Sequence, residues 1–120
     1  MQLDPTQAFS QARKEGKKVL LVFSGSDWCI PCIHFEKKVL ADSAFKQYAS
    51  EHLVVLNADF PQRKKVAARL ASEYDSLAAR FDQEGAFPKI VLLKPDKQLL
   101  ATLQYSGQSP DAFIRELDKF

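Results

Sequence analysis

Sulfur is scarce in this chain: its 120 residues hold two cysteines and one methionine. Both cysteines lie in the stretch GSDWCIPCIHFEK, residues 25–37. One pair cannot staple a multi-disulfide secreted scaffold, so cysteine usage leaves the compartment open. A structural zinc site needs about four ligands. Only His34 and His52 could supplement the cysteines, and His34, two residues after Cys32, falls on another helix face. No metal site is expected. A c-type haem would need His directly after Cys32, where Ile33 stands. Glycine is also rare, with four residues, and there is no Gly/Ser linker, repeat or low-complexity tract. The expectation is one domain over residues 1–120. No apolar run approaches the ~20 residues of a membrane span. Excess charge is missing too: the net charge is +2, which supports neither a nucleic-acid partner nor a membrane surface. Its one basic cluster, Arg63-Lys64-Lys65, reads as a solvated face at the start of a helix. The start, MQLDPTQAF, has no basic n-region and no apolar h-region. That suits a cytoplasmic chain, or a mature form with a signal already removed.

What is present is an alternation of helical and extended patterns. Asp4-Pro5 caps a first helix and Gly16 stops it. Val19 to Phe23 is a continuous apolar run, the mark of a strand buried on both faces. Ile33, Phe35, Val39 and Leu40 recur at helical spacing, giving a helix over 30–40 and a second over 43–51. The next buried strand covers 53–59. Val66, Leu70, Tyr74, Leu77 and Phe81 mark an amphipathic helix. Two strands, 89–93 and 99–105, flank a Pro-Asp-Lys turn, and Ser109-Pro110-Asp111 caps a last helix running to Phe120. The order is α-β-α-β-α-β-β-α. It predicts an α/β domain with a mixed sheet of four strands and helices on both faces. The first two strands are expected to be central and parallel, the last two an antiparallel hairpin.

The cysteines sit where the first strand ends and a helix begins. First-turn N–H groups lack intrahelical partners and the dipole end is positive, so a thiolate there is stabilised. Cys29 is therefore the expected nucleophile, exposed at the tip. Cys32, one turn deeper, is the expected resolving thiol. Pro31 is tolerated in the first turn. Trp28 and Ile30 offer an apolar rim beside the thiols, with plain core filling as the competing reading for Trp28. Asp27 could cap the helix near Cys29.

DWCIPC resembles the W-C-x-P-C active site of the thioredoxin family, and the resemblance runs over nearly the whole chain. It implies a thioredoxin fold, a cis bond at Phe87-Pro88 before the third strand, and a Phe87 backbone that faces the cysteines and pairs with substrate. Gly107 matches a glycine the family keeps after its last strand. The chain departs from thioredoxins proper in two ways. Phe23 stands where they bury an Asp, and Val55 where they carry a Lys. The usual first strand is absent or reduced to Gln2-Leu3, which would make a fifth strand. Glu36, four residues after Cys32, is similar to a Glu of thioredoxin-like interchange domains such as the C-terminal domain of bacterial transmembrane reductant carriers. There it tunes the cysteines; a surface Glu paired with a neighbouring Lys is the plainer reading.

The expected activity is thiol–disulfide exchange between Cys29–Cys32 and protein substrates, as reductase or isomerase rather than oxidase. The expected protein is a monomer that needs no cofactor and draws on an unidentified upstream reductase or electron donor. FSGSDWC followed by C-x-x-x-E looks like exported thioredoxin-like proteins, which favours the periplasm. The rival reading is a redox-inert binding module or chaperone using the groove around Trp28 and Pro88.

Overall fold

The computed structural model describes residues 1–120. Helix α1 spans Pro5–Glu15, strand β1 Lys18–Ser24 and helix α2 Ile30–Phe35. A π-helical segment, Glu36–Leu40, continues α2. Then follow α3 (Ser43–His52), β2 (Leu53–Asp59), α4 (Ala68–Phe81), β3 (Lys89–Leu93), β4 (Leu99–Leu103) and α5 (Pro110–Leu117). The four strands form one sheet in the order β2-β1-β3-β4. β1 and β2 are parallel, whereas β3 runs antiparallel to both β1 and β4. This is a thioredoxin fold with a four-stranded mixed sheet and five helices.

Alternation along β1 explains its unbroken apolar run. Val19, Leu21 and Phe23 face one core with α1 and α4, including Phe9, Ala12, Tyr74 and Leu77. Leu20 and Val22 face the other, with Phe35, Val39, Phe45, Phe113 and Leu117 from the helices on that side. Each face needs its own helical cover, so both sides of the strand must be hydrophobic. Caps set several ends as expected. The Asp4 carboxylate accepts N–H bonds from Thr6 and Gln7, Gly16 closes α1 at φ 67°, and Ser109 caps α5.

The structure corrects the reading at several points. β2 is an edge strand, because β3 occupies the other side of β1. Only Gln2 extends that edge: its N–H donates to the Val55 carbonyl (2.8 Å) and its carbonyl accepts from Asn57 (2.9 Å). One bridging residue leaves the sheet four-stranded. The 30–40 helix changes winding at Glu36, β4 stops at Leu103, and α5 stops at Leu117. Arg63-Lys64-Lys65 does not open a helix; α4 begins only at Ala68. Upstream, the Asp27 carboxylate takes the backbone N–H groups of Gln62 (2.9 Å) and Arg63 (2.7 Å), holding this segment as a loop. No helix is long and apolar enough to cross a membrane.

Candidate active site

The site gathers at the end of β1. Cys29 and Cys32 are joined by a disulfide, with Cα atoms 5.2 Å apart. Cys29 is itself the N-cap of α2, and its Sγ accepts the Cys32 backbone N–H at 3.3 Å. The expectation of an exposed Cys29 needs correction, since its exposure is 5% and that of Cys32 is 3%. The Cys29 side chain folds back over the first turn rather than projecting outward. Pro31 occupies the first turn, where its missing N–H costs no bond. Ile30 projects fully, at 77% exposure.

Asp27 does not cap α2. Both its oxygens serve the 59–65 loop, and those amide bonds, that of Gln62 foremost, hold its carboxyl below the usual carboxylate range. Trp28 is partly exposed, and its Nε1–H donates to the Phe60 carbonyl at 2.7 Å. The indole meets the Phe87 ring edge-on at 5.3 Å, and Phe87 in turn meets Phe60 at 5.6 Å. Trp28, Phe60 and Phe87 thus form one aromatic ledge next to the cysteines. The Phe87–Pro88 peptide bond is cis. It precedes β3, whose first residue, Lys89, pairs with Phe23. That register sets Pro88 beside the end of β1, where the cysteine loop departs. The 82–88 turn is fastened by Asp82, a buried carboxyl that accepts the Ala86 N–H at 2.9 Å. Burial pushes the Asp82 carboxyl above its ordinary pKa.

Glu36 follows one helical turn beyond Cys32. Its backbone N–H donates to the Cys32 carbonyl, and the residue is exposed and lines a cleft with Gln2, Leu40 and Lys46 at the edge of β2. Phe23 lies fully buried 6.4 Å from the Phe60 ring. Val55 packs against the opposite core, so it does not face Phe23; Leu56 and Ala58 do share its face. His34 stacks against Tyr105, and its Nδ1 meets the Tyr105 hydroxyl. Gly107 has φ 86°, a left-handed turn that glycine accommodates. No cluster of three or more His, Cys, Asp or Glu converges that could hold a metal.

Sequence reasoning missed Gly25, Ser26, Asp59, Phe60 and Asp82. Gly25 had a signal in its spacing, three residues before the tryptophan. A Cβ built on Gly25 would stand 2.3–2.6 Å from indole atoms of Trp28, so the indole lies directly over the glycine backbone. Gly25→Ala is expected to push the ring out, breaking its bond to Phe60. The stability loss should be about 1–3 kcal/mol in urea unfolding. Trp28 is the only tryptophan, so a red-shifted emission reports the displacement directly.

Residues 1–95 match the model of a family described as thioredoxin-like. The chain is 28% identical over 111 residues to the disulfide bond reductase DsbH of Chlamydia pneumoniae. That alignment covers 92% of this chain and 66% of the relative, so the chain spans just under two thirds of the relative's length. A solved structure of a DsbH oxidoreductase is similar with a TM-score of 0.89 at 25% identity, over 99% of this chain and 84% of that one. The reduced DsbD C-terminal domain of Neisseria meningitidis shares the fold, with a TM-score of 0.68 at 23% identity over 99% and 98% of the two chains.

Proposed function

Because the chain belongs to the thioredoxin-like family, we propose that it is a thiol–disulfide oxidoreductase that reduces or isomerises disulfides in polypeptide substrates. The observation that carries the reading is the Cys29–Cys32 pair at the start of α2, with the Cys29 sulfur already receiving a backbone N–H. In the reduced form the Cys29 thiolate attacks one sulfur of the substrate disulfide. A mixed disulfide forms and a substrate thiolate leaves. The Cys32 thiolate then attacks the Cys29 sulfur, closing the internal disulfide and freeing the second substrate thiolate. Two electrons reach the substrate, and both leaving thiolates take protons from solvent. An upstream dithiol donor must return the pair to the reduced state. Phe87 and Pro88 supply the neighbouring wall for an extended substrate backbone, while Trp28, Ile30 and Pro31 supply the apolar rim. Glu36 enters this reading as a tuning residue, one helical turn beyond Cys32 with its backbone N–H bonded to the Cys32 carbonyl.

Reduction is favoured over oxidation by the likeness to a protein named a disulfide bond reductase. An extracytoplasmic site of action belongs to the same reading, supported by the resemblance of FSGSDWC and the later C-x-x-x-E to exported thioredoxin-like proteins. Residues 1–120 act as one monomeric domain. The test is insulin reduction with a dithiol donor, together with equilibration against glutathione. A reductase should turn insulin over and equilibrate nearer about −270 mV than −120 mV. Peptide binding without turnover would instead indicate a binding module, and a potential near −120 mV an oxidase.

A further inference from the structure

The basic cluster acquires a different meaning once its place is known. Three consecutive residues before Cys29 are each tied to the last residue of β2 or to the loop after it. Ser26 donates from its N–H and hydroxyl to the Asp59 carboxylate, at 2.9 and 2.6 Å. Asp27 accepts from Gln62 and Arg63, and Trp28 donates to Phe60. The Phe60 N–H closes the seam on the Ser24 carbonyl at 2.8 Å. The Arg63 backbone therefore lies within one hydrogen bond of a residue two positions from Cys29. Gln62, Arg63, Lys64 and Lys65 are all exposed.

The charges are sorted by direction. The two acids of the seam, Asp27 and Asp59, give their oxygens to partners within the seam. Lys64 pairs with Asp59 at 3.6 Å, and Asp75 lines the hollow behind it. Arg63 and Lys65 form no ion pair within 4 Å of a carboxylate and are exposed, in the loop that follows Phe60; the Arg63 charge also helps to hold Asp27 ionised. On the turn leading to Pro88, Glu84 is paired with Lys89 and Asp82 is buried. Three cations, Arg63, Lys64 and Lys65, thus stand against two carboxylates, Asp27 and Asp59, and the seam with its loop keeps a net positive charge.

We propose that Arg63 and Lys65 form a substrate-recognition edge that selects polypeptides carrying carboxylates beside the disulfide to be exchanged. This deepens the oxidoreductase reading and rests on it. The aromatic ledge takes an apolar residue next to the substrate cysteine, and the loop takes the acidic flank. Complementary charge of this kind raises encounter rates and fixes the register of the docked segment.

The test uses the full reduced chain and three cystine peptides of equal length, flanked by Glu-Glu, Gln-Gln or Lys-Lys. At low salt kcat/KM for the Glu peptide should exceed that for the Lys peptide by about three- to tenfold. The ratio should fall toward one above about 0.5 M salt, where screening is short-ranged. The double variant R63E/K65E should reverse the ranking. Both side chains are exposed and the loop is held through backbone amides, so this variant keeps its fold; circular dichroism checks it. Equal rates for all three peptides, or a ranking that the variant leaves unchanged, would overturn the proposal. So would an equal fall for all three peptides, which would mean that the loop only props the cysteine segment. If insulin is reduced while the peptides are ranked without regard to charge, this inference alone fails. If neither insulin nor any peptide is reduced, the oxidoreductase reading fails with it.

Discussion

Cys32→Ser is expected to convert the protein from a turnover catalyst into a covalent trap. The variant keeps Cys29, which can still attack a disulfide, but removes the sulfur that would release the product. In the parent chain the two Cα atoms are 5.2 Å apart and the sulfurs are bonded, so resolution is intramolecular. A positioned intramolecular group acts at effective concentrations of about 10⁵ M or more in favourable cases. Millimolar external thiol replaces that poorly, so turnover should drop by at least about a thousandfold. Mixed disulfides with substrate should accumulate and dissolve on adding reductant, a shift visible in non-reducing gels or intact mass. Cys29→Ser should lose turnover equally yet trap nothing. Equal trapping by both variants would remove the assignment of Cys29 as nucleophile. The same assignment expects the Cys29 thiol to be alkylated with a pKa below the free-thiol value of about 8.5, because the N-cap position offers its sulfur the Cys32 N–H.

Phe23→Ala should be the most damaging single truncation near the site. Phe23 is fully buried, shares its sheet face with Leu21, Leu56 and Ala58, and abuts Phe60. Emptying that volume should cost about 3–5 kcal/mol, read as a lower midpoint in urea at unchanged slope. The aromatic ledge should loosen as well, since Phe60 links Phe23 to Phe87 and accepts from Trp28. A loss under 1 kcal/mol would show that Phe23 is not the pillar it looks to be. The same residue shapes the chemistry. Phe23 fills its place beneath the cysteine loop with a buried ring that carries no proton to exchange. The pH dependence of exchange should therefore show no carboxylate step arising from position 23.

The division of labour between sequence and tertiary structure can be followed residue by residue. Asp4, Gly16 and Ser109 announced their helix ends, because a cap is a bond between residues two to four apart. The run Val19–Phe23 announced a doubly covered strand, and C-x-x-C with its Trp and Pro announced the chemistry, for the same reason of short range. The Arg63–Lys65 loop did not declare itself. Its geometry depends on Asp27, 36 residues from Arg63, and a charge run carries no mark of what lies behind it. The edge position of β2 depends on where β3 pairs, and pairing across 70 residues leaves no periodic trace in either strand. The one-turn step from Cys32 to Glu36 was legible, and the structure bonds the Glu36 N–H to the Cys32 carbonyl; the π-helical winding from Glu36 onward left no mark in the spacing. By itself the sequence determined the α/β order, most helix ends and the pairing of the two sulfurs, all signals read within about one helical turn or one strand. Only the tertiary structure decided what surrounds those sulfurs. The seam from Ser26 to Arg63 and the loop it holds in place rest on contacts between side chains and backbone far apart in the chain, which meet only after the sheet has formed.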